Sequence, residues 1–292
     1  MALIIVLLTL ALVQLWGSGK PVHHDGWFAR WRQNIAGRKA MQQNAGLRLA
    51  ATVYPAVLLA AVLMVLAEVA MGWLGTLALG VILLLYCLGR GNFNEMLSDY
   101  LRAWYRGDLE QARAAAAPLI RDLHEEPGGP QQLHEQVFRG SAYLAFERLF
   151  AVLFWFLLLG IPGALLFRLS ALYADETRGT ADEATASRWL WLLEWLPVRV
   201  MGFSFAIVGN FAGCYQAWRQ CLTCRERDTA EVLEAYLEGA LGGIDASQCS
   251  VGGEVAEAQR FCGAQLEGLQ SLLSRSLLLW VTVLALAVLF GY

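Results

Sequence analysis

Apolar residues arrive in this chain as long unbroken runs. Residues 49–89 hold 41 positions and one charge, Glu68. A helix needs about 20 apolar residues to cross the hydrocarbon core, so this run fits two crossings joined by a tight turn at Glu68 and Gly72. Further runs fall at 2–16, 149–167, 189–213 and 277–290. With 49–66 and 73–89 they predict about six transmembrane helices. The fourth run places Pro162 between Gly160 and Gly163, which predicts a kink or an early end. The fifth is interrupted by Glu194, Pro197 and Arg199. Helices are the expected spanning element because they satisfy their own backbone in lipid.

Between these runs the period changes to that of amphipathic helices. Leu97, Leu101, Trp104 and Tyr105 share one face, and Gly107 breaks it. Asp108, with Gln111 three positions on, reads as a capping box. It opens a stripe of Leu109, Ala112, Ala116, Leu119, Ile120 and Leu123. EEPGGP at 125–130 is a turn. Residues 214–276 repeat the plan. Asp228 and Glu231 form a cap, and Val232, Leu233, Tyr236, Leu237, Ala240 and Leu241 form a face. After a Gly-rich turn, Val255, Ala258, Cys262, Leu266, Leu269 and Leu273 return into the last run. The prediction is an all-α integral membrane protein, a single polytopic domain over 1–292. Its loops 90–148 and 214–276 form a cytosolic bundle of two amphipathic hairpins. No strand-period alternation and no solenoid-length repeat occurs.

Composition agrees. Hydrophobic residues are 57% and charged residues 16%, against about 25% charged in soluble domains. The net charge of −3 argues against nucleic acid as a partner. Basic residues are uneven: six in 17–48, seven in 90–148 and five in 214–276, but none in 67–72 and three in 168–188. The positive-inside rule places the three richer loops in the cytosol and both termini on the other side, facing the periplasm or exterior. The segment Met1–Trp16 has no basic residue ahead of it and no cleavage site, and so reads as a retained span. The six cysteines do not read as a disulfide framework and are expected reduced.

Few side chains point to chemistry. Trp16-Gly-Ser-Gly-Lys20-Pro21 lacks the spacing of a phosphate-binding loop. His23, His24 and Asp25 are too few for a metal site and read as a solvated loop. Residues 27–39 interleave Trp27, Phe28 and Trp31 with Arg30, Arg32, Arg38 and Lys39, the pattern of an interfacial helix on membrane lipids. Cys221 and Cys224 form a CxxC without the strand context of a redox motif. Charges in or beside spans are costly. Glu147 and Arg148 begin the fourth run and Arg168 ends it, while Glu194 and Arg199 interrupt the fifth. The latter two either pair or line a polar cleft. Gly209, Asn210 and Gly213 form a GxxxG suited to close helix packing within one chain or across a dimer.

Three stretches, WYRGDLEQAR at 104–113, ERLFAVLFWFLLLGIPGALLFRL at 147–169 and LEWLPVRVMGFSFAIVGNF at 193–211, together resemble the AmpE family. These are inner-membrane proteins of bacteria that induce chromosomal β-lactamase. That family is in turn similar to the adenosylcobinamide-phosphate synthases of cobalamin biosynthesis. The synthases carry a polar ENxSDG-like motif where this chain has Tyr143, Leu144, Ala145, Phe146, Glu147 and Arg148, so only Glu147 keeps a carboxylate. Arg168 matches the arginine of their GALLYR stretch.

The resemblance implies signalling around β-lactamase induction and peptidoglycan recycling, with a cell-wall-derived ligand or a signalling protein as partner. A membrane-embedded ATP-dependent amide ligase is the alternative. It would use a nucleotide and Mg²⁺ at a cluster drawn from Glu95, Asp99, Arg102, Glu147, Arg148 and Arg168. A small-molecule transporter is the third reading. It requires broken helices paired in two halves, and the sequence offers one, the fourth run.

Overall fold

A computed structural model describes residues 1–16, 25–38, 44–88, 93–120, 129–222, 224, 227–242 and 255–290, with 255–261 as backbone only. The described elements are helices and contain no sheet. They are α1 (Ala2–Trp16), α2 (Gly26–Ala36), α3 (Ala45–Cys87), α4 (Phe93–Tyr105), α5 (Leu109–Ala116) and α6 (Pro130–Ala145). A π turn (Phe146–Phe150) leads to α7 (Ala151–Glu176), followed by α8 (Glu183–Val208), α9 (Phe211–Cys221), α10 (Thr229–Ala240) and α11 (Val255–Leu289). Among the described residues four stretches are long and apolar enough to cross a membrane: Ala45–Cys87, Pro130–Glu176, Glu183–Val208 and Cys262–Leu289. Ala2–Leu15 is apolar but shorter. The chain forms two compact units, one of residues 1–91 and 147–195, the other of 92–146 and 196–292.

The first unit is built on two glycine vertices. Asn44 caps α3 by accepting from the amides of Gly46 and Leu47. Gly72 then adopts φ 60°, ψ −147°, and Gly160 in α7 adopts φ 69°, ψ −155°, a region open essentially to glycine alone. At both positions the chain folds back. A Cβ on Gly75 would lie 2.7 Å from the carbonyl oxygen of Ala67, and one on Gly163 would strike the carbonyl oxygen of Trp155. Each pair is eight residues apart, a rise of about 12 Å in a straight helix.

A ruler across α3 confirms the reversal. Trp27 and Trp31, one turn apart on α2, donate from Nε1 to the Tyr86 hydroxyl and the Thr52 carbonyl, each at 3.2 Å. Straight helix would separate Thr52 from Tyr86 by about 51 Å. The expected turn at Gly72 is therefore present. The fourth run, expected to be one kinked span, is instead a second hairpin with the same backbone device.

Sidedness within this unit changes with it. Residues 168–188 were expected opposite residues 17–48. Ion pairs Arg32–Glu176, Arg48–Asp182 and Arg168–Asp25 bring them to one end. The reversal at Gly160 returns the chain to the face it left.

In the second unit the amphipathic stripes bury against each other, α6 on α10 and α11 on α4 and α6. Asp108 accepts from the Gln111 amide at 3.0 Å, and Asp228 caps α10 through Thr229. Val232, Leu233, Tyr236, Leu237 and Ala240 are buried, as are Cys262, Leu266, Leu269 and Leu273. Tyr105 departs from its expected face. Tyr100 is fully buried in its place, and the Tyr105 hydroxyl reaches out to donate to Glu267. Leu123 lies outside the described residues. The fifth run ends at Val208, and a separate α9 begins at Phe211.

Candidate functional site

The polar end of the first unit gathers charge from three segments of the chain. Asp25 precedes α2 and is buried, not solvated as expected of its loop. Its carboxylate stands 3.6 Å from Nη2 of Arg168 on the second arm of α7, with side-chain exposures of 10% and 8%. The Tyr86 hydroxyl, near the end of α3, donates to Asp25 Oδ1 at 3.3 Å and accepts from Trp27. The Nε of Arg168 is buried without a hydrogen-bond partner. The guanidinium is thus held by one long pair in a place where desolvation makes unmet donors costly.

Two further pairs flank it. Arg32 donates to Glu176 at 2.7 Å. Arg48 meets Asp182 in a fork, with Nε to Oδ2 at 2.8 Å, and the Tyr173 hydroxyl donates to the same carboxylate at 3.4 Å. The hydrogen bond from Arg48 holds the Asp182 carboxyl below its ordinary value. Each pair joins the α2–α3 region to the second arm of α7 or the turn after it. Together they form a latch made of opposite charges, largely shielded from water and tied to two helical hairpins.

The residues singled out from sequence are dispersed. Glu147 is buried in the π turn, a feature that recurs at functional sites, and Arg148 beside it is half-buried. Glu194 is buried on the part of α8 that belongs to the first unit. Arg199 lies on the same helix but in the second unit. It donates to the carbonyls of Cys221, Leu222 and Cys224, capping the C-terminal end of α9. Glu95, Asp99 and Arg102 are exposed on α4, the last two as a surface pair at 3.2 Å. Of the expected cluster, Arg168 is the member that joins the latch.

Gly209 and Gly213 lie where α9 meets α10. A Cβ on Gly213 would come within 2.5 Å of the Gly239 carbonyl oxygen, while Asn210 caps α9 through the Gly213 amide. Cys221 and Cys224 carry the carbonyls that Arg199 binds. Cys87, Cys214, Cys221 and Cys224 are free, whereas Cys262 is disulfide-bonded, against the expectation of six reduced thiols. His23 and His24 lie outside the described residues. Among the described residues no three His, Cys, Asp or Glu side chains stand close enough to share a metal ion.

Sequence reasoning passed over Asp25, Arg48, Glu176 and Asp182 as latch members. Of these only Arg48 adjoins an apolar run; Asp25, Glu176 and Asp182 fall in the connecting segments, where a charge reads as solvated. What hid them was the fold-back at Gly160, without which their two segments lie at opposite ends.

The chain is 30% identical over 200 residues to the cobalamin biosynthesis protein CobD of Stutzerimonas stutzeri (strain A1501), covering 65% of this chain and 62% of that protein. It is 31% identical over 172 residues to the protein of the same name from Chromobacterium violaceum, covering 56% of this chain and 53% of that one. The chain thus spans less than two thirds of the length of these curated relatives. No solved structure matches it. The profile described as regulatory signalling modulator protein AmpE matches residues 1–239. This membrane-type helical chain belongs to the AmpE family.

Proposed function

We propose that the chain is a non-catalytic modulator in the bacterial inner membrane, acting in signalling that ties cell-wall recycling to β-lactamase induction. The observation that carries this reading is the latch. Asp25, Glu176 and Asp182 each face an arginine of another segment. Such a set holds two hairpins in one arrangement and releases them when a competing charge arrives, which is the behaviour of a switch. The competing charge belongs to a cell-wall-derived ligand or a signalling protein. The latch end faces the cytosol, and Trp27 and Trp31 lie at the level of the lipid headgroups.

The test is complementation in a host with an inducible chromosomal β-lactamase. The gene is removed and returned as wild type or as Arg168→Gln, and β-lactamase activity is measured before and after an inducing β-lactam, with membrane levels checked by immunoblot. Deletion should change the induction ratio. Wild type should restore it and Arg168→Gln, at equal level, should not. An induction ratio untouched by deletion overturns the proposal.

Similarity to two cobalamin biosynthesis proteins favours a second reading, an ATP-dependent ligase acting on a carboxylate, with Glu147 at its centre. Magnesium-dependent ATP turnover lost in Glu147→Gln would support it, and no turnover with any carboxylate would remove it. Transport is less favoured, because the two glycine vertices both lie in the first unit rather than in two related halves.

A further inference from the structure

The second unit contains a small cavity that shares no lining residue with the latch. It is lined by His134, Glu135 and Phe138 of α6, Glu234 and Glu238 of α10, Leu241 after it, and Gln265 of α11. Its volume is about 20 Å³, room for one water-sized group. Its lining includes Glu238, which is exposed, and His134, which is 1% exposed. His134 packs on Trp104 at 5.4 Å, and its Nε2 lies 3.2 Å from Gln265 Oε1. A carbonyl oxygen only accepts, so Nε2 carries the proton and Nδ1 presents a bare lone pair. That Nδ1 is buried and has no partner.

The walls add negative charge. Burial holds Glu234 above its ordinary value, Arg139 opposes this, and Glu238, Glu135 and Glu231 add to it. Arg139 reaches Glu231 and Glu234 only at 3.8 and 3.7 Å. A buried, unpartnered lone pair on a lining histidine and carboxylates in the same lining call for a compact cation that donates hydrogen bonds. A bare metal ion needs several ligands converging on one point, and the described residues hold no such group of three. An alkylammonium head has three N–H donors and the size of a water molecule.

We propose that this cavity binds the primary ammonium group of a small amine, with His134 Nδ1 accepting one N–H and Glu234 and Glu238 neutralising the charge. The test is equilibrium dialysis of the full chain in detergent against radiolabelled methylamine at fixed ionic strength. Binding should saturate at one equivalent. Ammonium chloride should compete. Tetramethylammonium, which has no N–H, should not. The double variant Glu234→Gln, Glu238→Gln should weaken binding at least tenfold, and Arg168→Gln should leave it unchanged. Competition by tetramethylammonium or sodium equal to that by ammonium reduces the effect to charge screening and overturns the proposal. So does the absence of saturable binding to the wild-type chain, which would leave the cavity to water.

Discussion

Replacing Gly160 by Ala separates two pictures of α7 by the sign of a stability change. In a helix that merely bends, glycine is a poor interior residue, and Ala would stabilise by about 0.8–1.0 kcal/mol. At a vertex with φ 69° and ψ −155°, Ala is forced into a region that belongs essentially to glycine, at a cost of about 1–3 kcal/mol. Sterics do not blur the comparison, since the nearest atom to the added Cβ is Pro162 Cδ at 3.9 Å. Gly179→Ala serves as a positive-φ comparison free of steric contact, because Gly179 has φ 70° and nothing within 4 Å of its Cβ. The measurement is reversible unfolding of the full chain in mixed micelles, followed by the fluorescence of its 11 tryptophans. One or two kcal/mol changes the folded-to-unfolded ratio by about 5–30-fold, well within reach of such a titration. A Gly160→Ala chain as stable as wild type, or more so, would refute the hairpin and with it the gathering of residues 25–48 and 168–182 at one end.

That gathering can also be read directly. Epitope tags inserted at Gly37 and at Gly179 should become accessible to antibody from the same face of sealed vesicles, and tags on opposite faces would contradict the ion pairs. Acid should loosen the latch. The Asp182 carboxyl lies below its unfolded value, so its contribution is fully present above about pH 4 and fades as pH falls through the folded value. Asp182→Asn should flatten that part of the acid-unfolding curve, and an unchanged curve would show the pair carries no linkage. Gly213→Val should push α9 off α10 and cost about 1–3 kcal/mol by overpacking, since its Cβ would meet the Gly239 carbonyl oxygen at 2.5 Å. A neutral result in micelle unfolding would mean the two backbones are not in contact.

Of the six expected spans, the apolar runs disclosed the all-helical class, four helical stretches long enough to cross a membrane and the turn at Gly72, because long hydrophobic length has few other uses. The caps at Asp108 and Asp228 and the buried face of α10 were legible for the same kind of reason, a local pattern tied to a local structure. The vertex at Gly160 was half legible. Its glycine and proline announced a break, but a kink and a full reversal share those residues. The difference lies in the small residue three positions on, Gly163, which lets the returning arm touch Trp155, and Gly75 plays that part after Gly72. Arg199 was misjudged for another reason. Its partners are main-chain carbonyls at the end of α9, and no side-chain pattern advertises those.

The reversal alters what the charge asymmetry means. With α7 read as one crossing, the three arginines of 168–188 opposed the six basic residues of 17–48 and diluted the positive-inside signal. Returned to the same end, Arg168 and the carboxylates Glu176 and Asp182 become partners of the α2–α3 region. Much of the charge near that boundary is then engaged in pairs between hairpins. The second arm of α7, Ile161–Glu176, rises only about 24 Å, short of a hydrocarbon core of about 30 Å. Its tip offers only apolar neighbours, with Leu157, Leu158 and Leu159 exposed by 41, 58 and 53%. An arm that short, with an apolar tip, has its polar end as its fixed point. The arginine pairs are what fix it there, so the same contacts that set the depth of α7 are the ones a competing charge would release.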